Sequence, residues 1–525
     1  MFYISFMKNK LNLILIILII LLAAFLRLYR ISDYMTFLGD EGRDVLVAKG
    51  ILEGHFTLLG PRSSAGDFFM GPVYYYMIAP FLWLFRLDPV GPAVMAGLFG
   101  VATVFLIYFI GKRCFGQKAG LFSAALYAVS PLVIAYSRSS WNPNVLPFFS
   151  LLLIYMVFKA VTEKQAGRYL IFGGFLLGIA MQLHYLSLFL AVIIAFYIFA
   201  SGWYRNKKII LFPIIKQYLL LGVGFLVGLS PFLAFEARHG FPNTKTIFHF
   251  IFGDTLTKGY ETHTTFISTV TEVFFRIFAR LVFSFPSTGN ILHFNTPALQ
   301  VWAFLAVVLA VCAIAGIYFI KNKLIVTLFY MWLFISILLF GFYKKSIYDY
   351  HFTFLFPLPF LIVGNLLSWL YGLKIWKKQY HLGAIVSLIL FSGIFLLNLS
   401  GMPFRYEPNR QKDQARQIAQ FVISKTGGKP YNFALISGGN SDYAYRYYFE
   451  MTGHKPVTIE NTVNDPQRKS VTNQLLVVCE DTSCKPLGHP LFDVAGFGRA
   501  SIAGEWNVIV VKVYKLVHYK EATQK

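Results

Sequence analysis

Apolar runs long enough to cross a bilayer recur along the 525 residues, and they restrict the chain before any motif is read. A helical crossing needs roughly 20 mostly apolar residues. With 57% hydrophobic, 18% aromatic and only 14% charged residues, the chain is too apolar for an ordinary soluble protein. Its net charge of +23 does not mark a nucleic-acid partner. A nucleic-acid binder gathers its cations on one soluble face, whereas many of these Lys and Arg sit in short loops between apolar runs, as a membrane protein places them. The first run, Leu11 to Leu26, follows Lys8 and Lys10 and leads into Arg27-Leu28-Tyr29-Arg30. No small-residue cleavage site follows, so it reads as a retained first span.

Loop charge then orients the spans. Lys8 and Lys10 put the N-terminus in the cytoplasm, and the basic loop from Gly111 to Lys118 is also inside. An odd number of crossings must separate them. Val73 to Phe85 is short, Tyr-rich and interrupted by Pro80, which suits an interfacial or re-entrant helix; Val90 to Ile110 crosses. Leu121 to Tyr136 and Val145 to Val161 follow. Tyr169 to Phe199 is too long for one crossing and is expected to be a hairpin turning at His184-Tyr185. Tyr218 to Phe235, Val301 to Ile320, Leu324 to Phe342, Phe352 to Tyr371 and Leu382 to Leu399 complete about eleven spans. Phe266 to Phe285, with Glu272, Arg276 and Arg280 one turn apart, reads as an amphipathic interfacial helix.

The expected fold is therefore a polytopic α-helical membrane domain over residues 1–400, followed by a small extracytoplasmic α/β domain over 401–525. Its outer loops span 27–90 and 236–300. In the tail, Gln411 to Ser424 has helical character, while Leu475 to Cys479 and Trp506 to Tyr514 read as strands. Cys479 and Cys484 lie on the side where disulfides persist, and either a local disulfide or two thiols fits the spacing. Zinc would need a second Cys or His pair, and no metal site or other cofactor is expected.

The outer turns carry the groups that could do chemistry. Gly39-Asp40-Glu41-Gly42-Arg43-Asp44 follows the first span. Asp40 is open to two readings: it caps a helix that starts there, with Arg43 pairing on the surface, or it is a functional carboxylate. Arg138 and Asn142 lie in the second outer turn, where an Arg is often a headgroup contact. His184 and Tyr185 form the third. Arg238 and His239, then Lys345 and His351, follow. A carboxylate among such cations suits group transfer from a phosphorylated lipid: the carboxylate takes a proton, and the cations or His stabilise the departing phosphate. There is no P-loop or dinucleotide fingerprint.

The chain resembles the GT-C glycosyltransferases, specifically the bacterial branch related to protein O-mannosyltransferases and lipid A aminoarabinose transferases. The residues that carry the likeness are Asp40-Glu41-x-Arg43 after the first span, Gly71-Pro72-Val73-Tyr74-Tyr75-Tyr76, and Arg138 to Asn144. The resemblance covers roughly the first 240 residues. It implies an inverting sugar transfer from a polyprenyl-phosphate donor to an extracytoplasmic acceptor, at the plasma membrane and in contact with its lipids. Asp40 falls on the family's essential first-loop Asp and Glu41 and Arg43 on its neighbours, so Asp40 and Glu41 are the expected catalytic pair. Arg43, Arg138, Asn142, His184, Tyr185, Arg238, His239, Lys345 and His351 are the expected phosphate or substrate contacts. Two positions depart from the family pattern. Asn142 stands where relatives often have an Asp, and His184 where they often have a Lys; a His would bind phosphate best when protonated. The rival reading is a transporter or flippase of lipid-linked sugars, which calls for broken helices meeting at mid-membrane.

Overall fold

A computed structural model of the chain describes residues 2–63, 68–163, 166–252, 265–284, 296–343, 346–373, 382–481 and 483–519. Among them, nine helices are long and apolar enough to cross a membrane, and the number is up to 11 if each of two bent helix pairs counts as one span. The expected eleven corresponds to that upper number. The first span belongs to a helix over Phe2–Leu28. Gln117–Val129 and Pro131–Ser137 meet at 65°, and Asp349–Leu355 and Pro357–Gly372 at 57°. In both pairs a Pro opens the second helix, where its missing N–H costs nothing but the preceding helix cannot continue through it.

Val73–Leu84 is a short apolar helix with Pro80 inside it, as its composition predicts. The long run from Tyr169 is a hairpin: Ala166–Leu183 and Leu188–Asn206 are separated by His184 and one tight turn, Tyr185–Ser187. The span expected at Tyr218 to Phe235 lies further upstream, at Leu211–Gly228. Pro231 restarts the chain as a separate helix, Ser230–His239. The stretch expected at Phe266 to Phe285 forms a helix over Phe266–Phe275, continued by a π-helical turn at Arg276–Arg280; Phe285 lies outside the described residues.

The chain divides into two compact units. The helical unit comprises Met1–Ile31, Phe56–Met77 and Ala93–Glu407. Two arginines lock helix ends in it by exchange. Arg27, fully buried on the first helix, donates to the Ala128 and Tyr127 carbonyls at 3.0 and 3.4 Å, in the last turn of the Gln117–Val129 helix. Arg138, 1% exposed, donates back to the Leu26 and Tyr29 carbonyls at 2.9 and 2.8 Å. Each thus satisfies carbonyls that a terminating helix leaves without a partner, and each places positive charge at a helix C-terminus.

The sheet unit comprises Ser32–His55, Ile78–Pro92 and Pro408–Lys525. It is wider than the tail after residue 401, because it draws in two pieces of the first loop. Four strands, β1 (Asn432–Ile436), β2 (Gln474–Cys479), β3 (Ala500–Val508) and β4 (Val511–His518), form a sheet in the order β1-β2-β4-β3. β1 and β2 are parallel and the other pairs antiparallel. The single strand expected at Trp506 to Tyr514 is instead the middle of a hairpin that reverses at Ile509-Val510. Ile509 adopts φ 55°, a region β-branched residues rarely enter, and neither turn position, Ile509 or Val510, is a Gly, Asn or Asp. Cys479 and Cys484 form a disulfide.

The loop helix, Gly39–Leu52, is seated on the sheet unit by its buried residues Glu41, Asp44, Val45, Ala48 and Ile51, which recur at helical spacing. A Cβ on Gly42 would run into the backbone of Tyr443 and Ala444, and one on Gly39 into Ser441. Lys49 reaches Glu450 at 2.9 Å and Lys412 reaches Asp88 at 3.1 Å. Phe37 packs edge-on against Tyr447 and Tyr448. Because Gly42 lets two backbones touch, Gly42→Val should destabilise the protein by about 1–3 kcal/mol, the usual cost of overpacking. Thermal unfolding of the purified variant checks this, and an unchanged melting temperature would contradict the close approach.

Candidate active site

Asp40 and Glu41 are adjacent, yet the helix sends them to opposite environments. Glu41, 7% exposed, turns back on its own helix start: the Thr36 hydroxyl donates to one carboxylate oxygen at 2.6 Å and the Leu38 N–H to the other at 3.0 Å. That is the reciprocal bond of a capping box, so Glu41, and not Asp40, is the residue that caps the helix. Burial raises the Glu41 pKa above the ordinary range, against these hydrogen bonds. Asp40 keeps its side chain 51% exposed and pairs with the Arg43 guanidinium at 2.8 Å.

Arg43 is itself gripped from the other side. Its Nε and Nη2 both donate to one oxygen of the fully buried Asp44, at 3.0 and 2.7 Å, while Nη1 holds Asp40. A guanidinium held through two of its nitrogens presents the third in a set direction. Burial pushes the Asp44 carboxyl up to about 7 even with Arg43 beside it. The arrangement therefore offers one solvent-reachable carboxylate, Asp40, with a cation fixed next to it.

In the helical unit the turns at Trp141, His184 and Tyr350 converge on an aromatic and histidine cluster. Trp141 and Tyr350 rings lie 4.5 Å apart, and His184 lies 4.7 Å from Tyr185, 5.9 Å from Tyr350 and 5.7 Å from His351. The Tyr185 and Tyr343 hydroxyls meet at 2.6 Å. His184 Nδ1 accepts the Leu186 N–H and His351 Nδ1 accepts the Tyr348 N–H, both at 3.3 Å. Neutral rings with those bonds carry their proton on Nε2. Burial, with His351 nearby, holds the His184 pKa well below its ordinary value. Burial thus disfavours the charged imidazole, while its Nε2–H remains available as a donor.

The Pro-Tyr segment is fastened to the same turns. Gln182 accepts the Val73 N–H at 3.1 Å and closes on Gly71, where a Cβ would strike its side chain. The Tyr74 hydroxyl meets Ser140 at 2.8 Å, and Asn142 donates to the Leu183 carbonyl at 2.5 Å. Asn142 is buried and engaged in that bond, and Arg138 is engaged in the helix exchange. Arg238 and His239 occupy the exposed last turn of the Ser230–His239 helix and are not among the residues gathered here. Lys345 lies outside the described residues.

Sequence reasoning missed Trp141, Tyr343 and Tyr350 as site residues, and the ion cluster beside them. Asp349 joins Arg276 at 3.2 Å and Arg280 at 3.0 Å, with Glu272 also on Arg276. The Arg276/Arg280 spacing was visible, but their shared partner is 69 or more positions further along the chain. Among the described residues no group of three or more His, Cys, Asp or Glu side chains could hold a metal ion.

The fold is similar to those of solved proteins of the kind that the sequence resemblance implies. Over nearly the whole chain the fold matches ArnT from Cupriavidus metallidurans bound to undecaprenyl phosphate, with a TM-score of 0.62 at 12% identity, covering 96% of this chain and 97% of that one. It also matches the archaeal oligosaccharyltransferase AglB from Archaeoglobus fulgidus, in complex with an inhibitory peptide and a dolichol-phosphate. There the TM-score is 0.50 at 13% identity, covering 90% of this chain and 69% of that one. At such identities the likeness is one of fold. Residues 70–235 match the sequence model of the family described as dolichyl-phosphate-mannose-protein mannosyltransferase. Two candidate mannosyltransferases of Bacillus subtilis (strain 168) are similar in sequence. YkcB is 26% identical over 208 residues, 39% of this chain, and YycA 29% identical over 161 residues, 30% of this chain. The matched regions span 29% and 22% of those proteins.

Asp44 gives the site a pH signature. Its folded pKa of about 7 exceeds the ordinary 3.8, so its contribution favours the fold below 3.8 and is lost as pH rises to about 7. Asn cannot titrate. Asp44→Asn should therefore gain stability relative to the parent between pH 3.8 and about 7, and the difference should level off above. Thermal unfolding of both proteins across that window measures it; a difference that stays flat would exclude a raised Asp44 pKa.

Proposed function

We propose that this protein is a membrane glycosyltransferase that moves a sugar from a polyprenyl-phosphate donor to an acceptor outside the cytoplasm, with inversion. The observation that carries the reading is the division of labour in the first loop: Glu41 is consumed in capping while Asp40 stays accessible with Arg43 fixed beside it. In the proposed reaction an acceptor hydroxyl gives its proton to the Asp40 carboxylate as its oxygen attacks the anomeric carbon. The bond from that carbon to the phosphate oxygen breaks, and polyprenyl phosphate leaves with the electron pair. The Arg43 guanidinium, fixed beside Asp40, is a cation that can stabilise the departing phosphate. The likeness to a solved protein that holds undecaprenyl phosphate and another that holds a dolichol-phosphate supports a lipid-linked donor.

Asp40→Asn should abolish release of polyprenyl phosphate while leaving donor binding and the melting temperature near those of the parent. The assay is incubation of purified protein with a panel of polyprenyl-phosphate sugars. Turnover at the parent rate would remove Asp40 from the chemistry. The two bent helix pairs are the feature that favours transport of lipid-linked sugars instead. That reading requires donor movement across vesicles without phosphate release, and it survives only if the parent itself releases none.

The orientation is part of the same proposal: N-terminus in the cytoplasm and the sheet unit outside. A reporter fused after Lys525 should therefore read as extracytoplasmic. A cytoplasmic signal would place Asp40 and the oxidised Cys479–Cys484 pair on the wrong side for an outward-facing enzyme.

A further inference from the structure

A cavity of about 300 Å³ opens inside the sheet unit at the very start of the loop helix. Phe37 and Leu38 form one wall, and the next two residues in the chain are Gly39 and Asp40. The Gln411–Lys425 helix supplies Gln411 and Gln414, and the chain beyond β1 and β2 supplies Asn440, Tyr445 and Glu480. Val510, from the unannounced hairpin turn, also lines it.

The hydrogen bonds around it are half complete. Asn440 accepts the Gly39 N–H at 2.9 Å and donates to Glu480 Oε1 at 2.8 Å. The Tyr445 hydroxyl donates to the same Glu480 oxygen at 3.3 Å. Gln411 accepts the Phe37 N–H at 3.3 Å through its carbonyl oxygen. Among the described residues, the second Glu480 oxygen, the Gln411 amide nitrogen and the Gln414 side-chain amide make no hydrogen bond, and all three residues line a ligand-sized space that thus has both acceptors and donors in its wall.

That set of groups selects a chemistry. Among the described residues no Lys, Arg or His lines the cavity, and Glu480 would repel a phosphate or carboxylate. An aliphatic chain would strip water from Glu480 and the amides and return nothing. A ring of hydroxyls answers both needs, because each hydroxyl donates to a carboxylate oxygen and accepts from an amide, while its C–H face rests on Phe37 and Val510. We propose that this cavity is a saccharide-binding subsite. Taken with the glycosyltransferase reading, on which this assignment of role rests, it holds the sugar part of the acceptor. Asn440 then links the subsite to the backbone of the residue preceding Asp40, so a bound sugar and the carboxylate share one hydrogen-bonded support.

The test is binding of the full chain, in lipid nanodiscs, to a broad array of immobilised glycans, with no donor present. The parent should bind one class of glycan. Glu480→Gln and Gln414→Ala should each weaken it by about tenfold or more, as loss of a hydrogen bond to a charged or buried group does. Gln414 is half-exposed on its helix, so its truncation keeps the fold. Asp40→Asn should bind glycan like the parent. Absence of glycan binding by the parent, or binding that both cavity variants keep in full, overturns the subsite. Loss of binding in the cavity variants with phosphate release intact in Asp40→Asn would leave the subsite standing and overturn the base.

Discussion

Two glycines and a carboxylate decide where the loop helix can lie. Gly39 and Gly42 let its backbone touch residues 441–444, and Glu41 closes its first turn. Any side chain at the glycines would push the helix off its seat, so its rotation about its own axis is set by packing as well as by sequence. Once the rotation is set, position 40 faces out and positions 41 and 44 face in, because a step of one residue turns the helix by about 100°. Two acids are buried while the third, paired with Arg43, stays exposed. Their raised pKa values are the electrostatic consequence.

In the helical unit the matching constraint is electrostatic. Arg27 and Arg138 are buried among carbonyls where bare charges would be very costly, and each is tolerated because it completes the hydrogen bonding of a helix end. A cation at the outer turn therefore cannot be read as a ligand contact from type and position alone. The same holds for His184. Its burial and the closeness of His351 disfavour its charged form, and Tyr185 and Tyr350 pack against it.

Much of the fold was legible. Apolar length and loop charge were enough for the spans, the hairpin turn at His184-Tyr185 and the short Tyr-rich helix, since those depend on solvent and local composition. The tail's helix and the strand at Leu475 were legible for the same reason. Where prediction departed, a backbone detail was responsible. Pro231 moved a span upstream, and Ile509 made a turn without any turn residue. The candidate site was legible in its residue types and less so in their roles: the acidic pair could be picked out, but which member caps and which is free could not.

The chain alone sufficed to establish a multispan membrane protein with an acidic pair after its first span, because hydrophobic length and charge act locally along the sequence. Only the tertiary structure separated Asp40 from Glu41, bound pieces of the first loop to the tail, and joined Asp349 to Arg276 and Arg280. Those outcomes depend on contacts between residues tens to hundreds of positions apart. Burial and hydrogen-bond partners, which set the character of every ionisable group here, exist only once such contacts have formed.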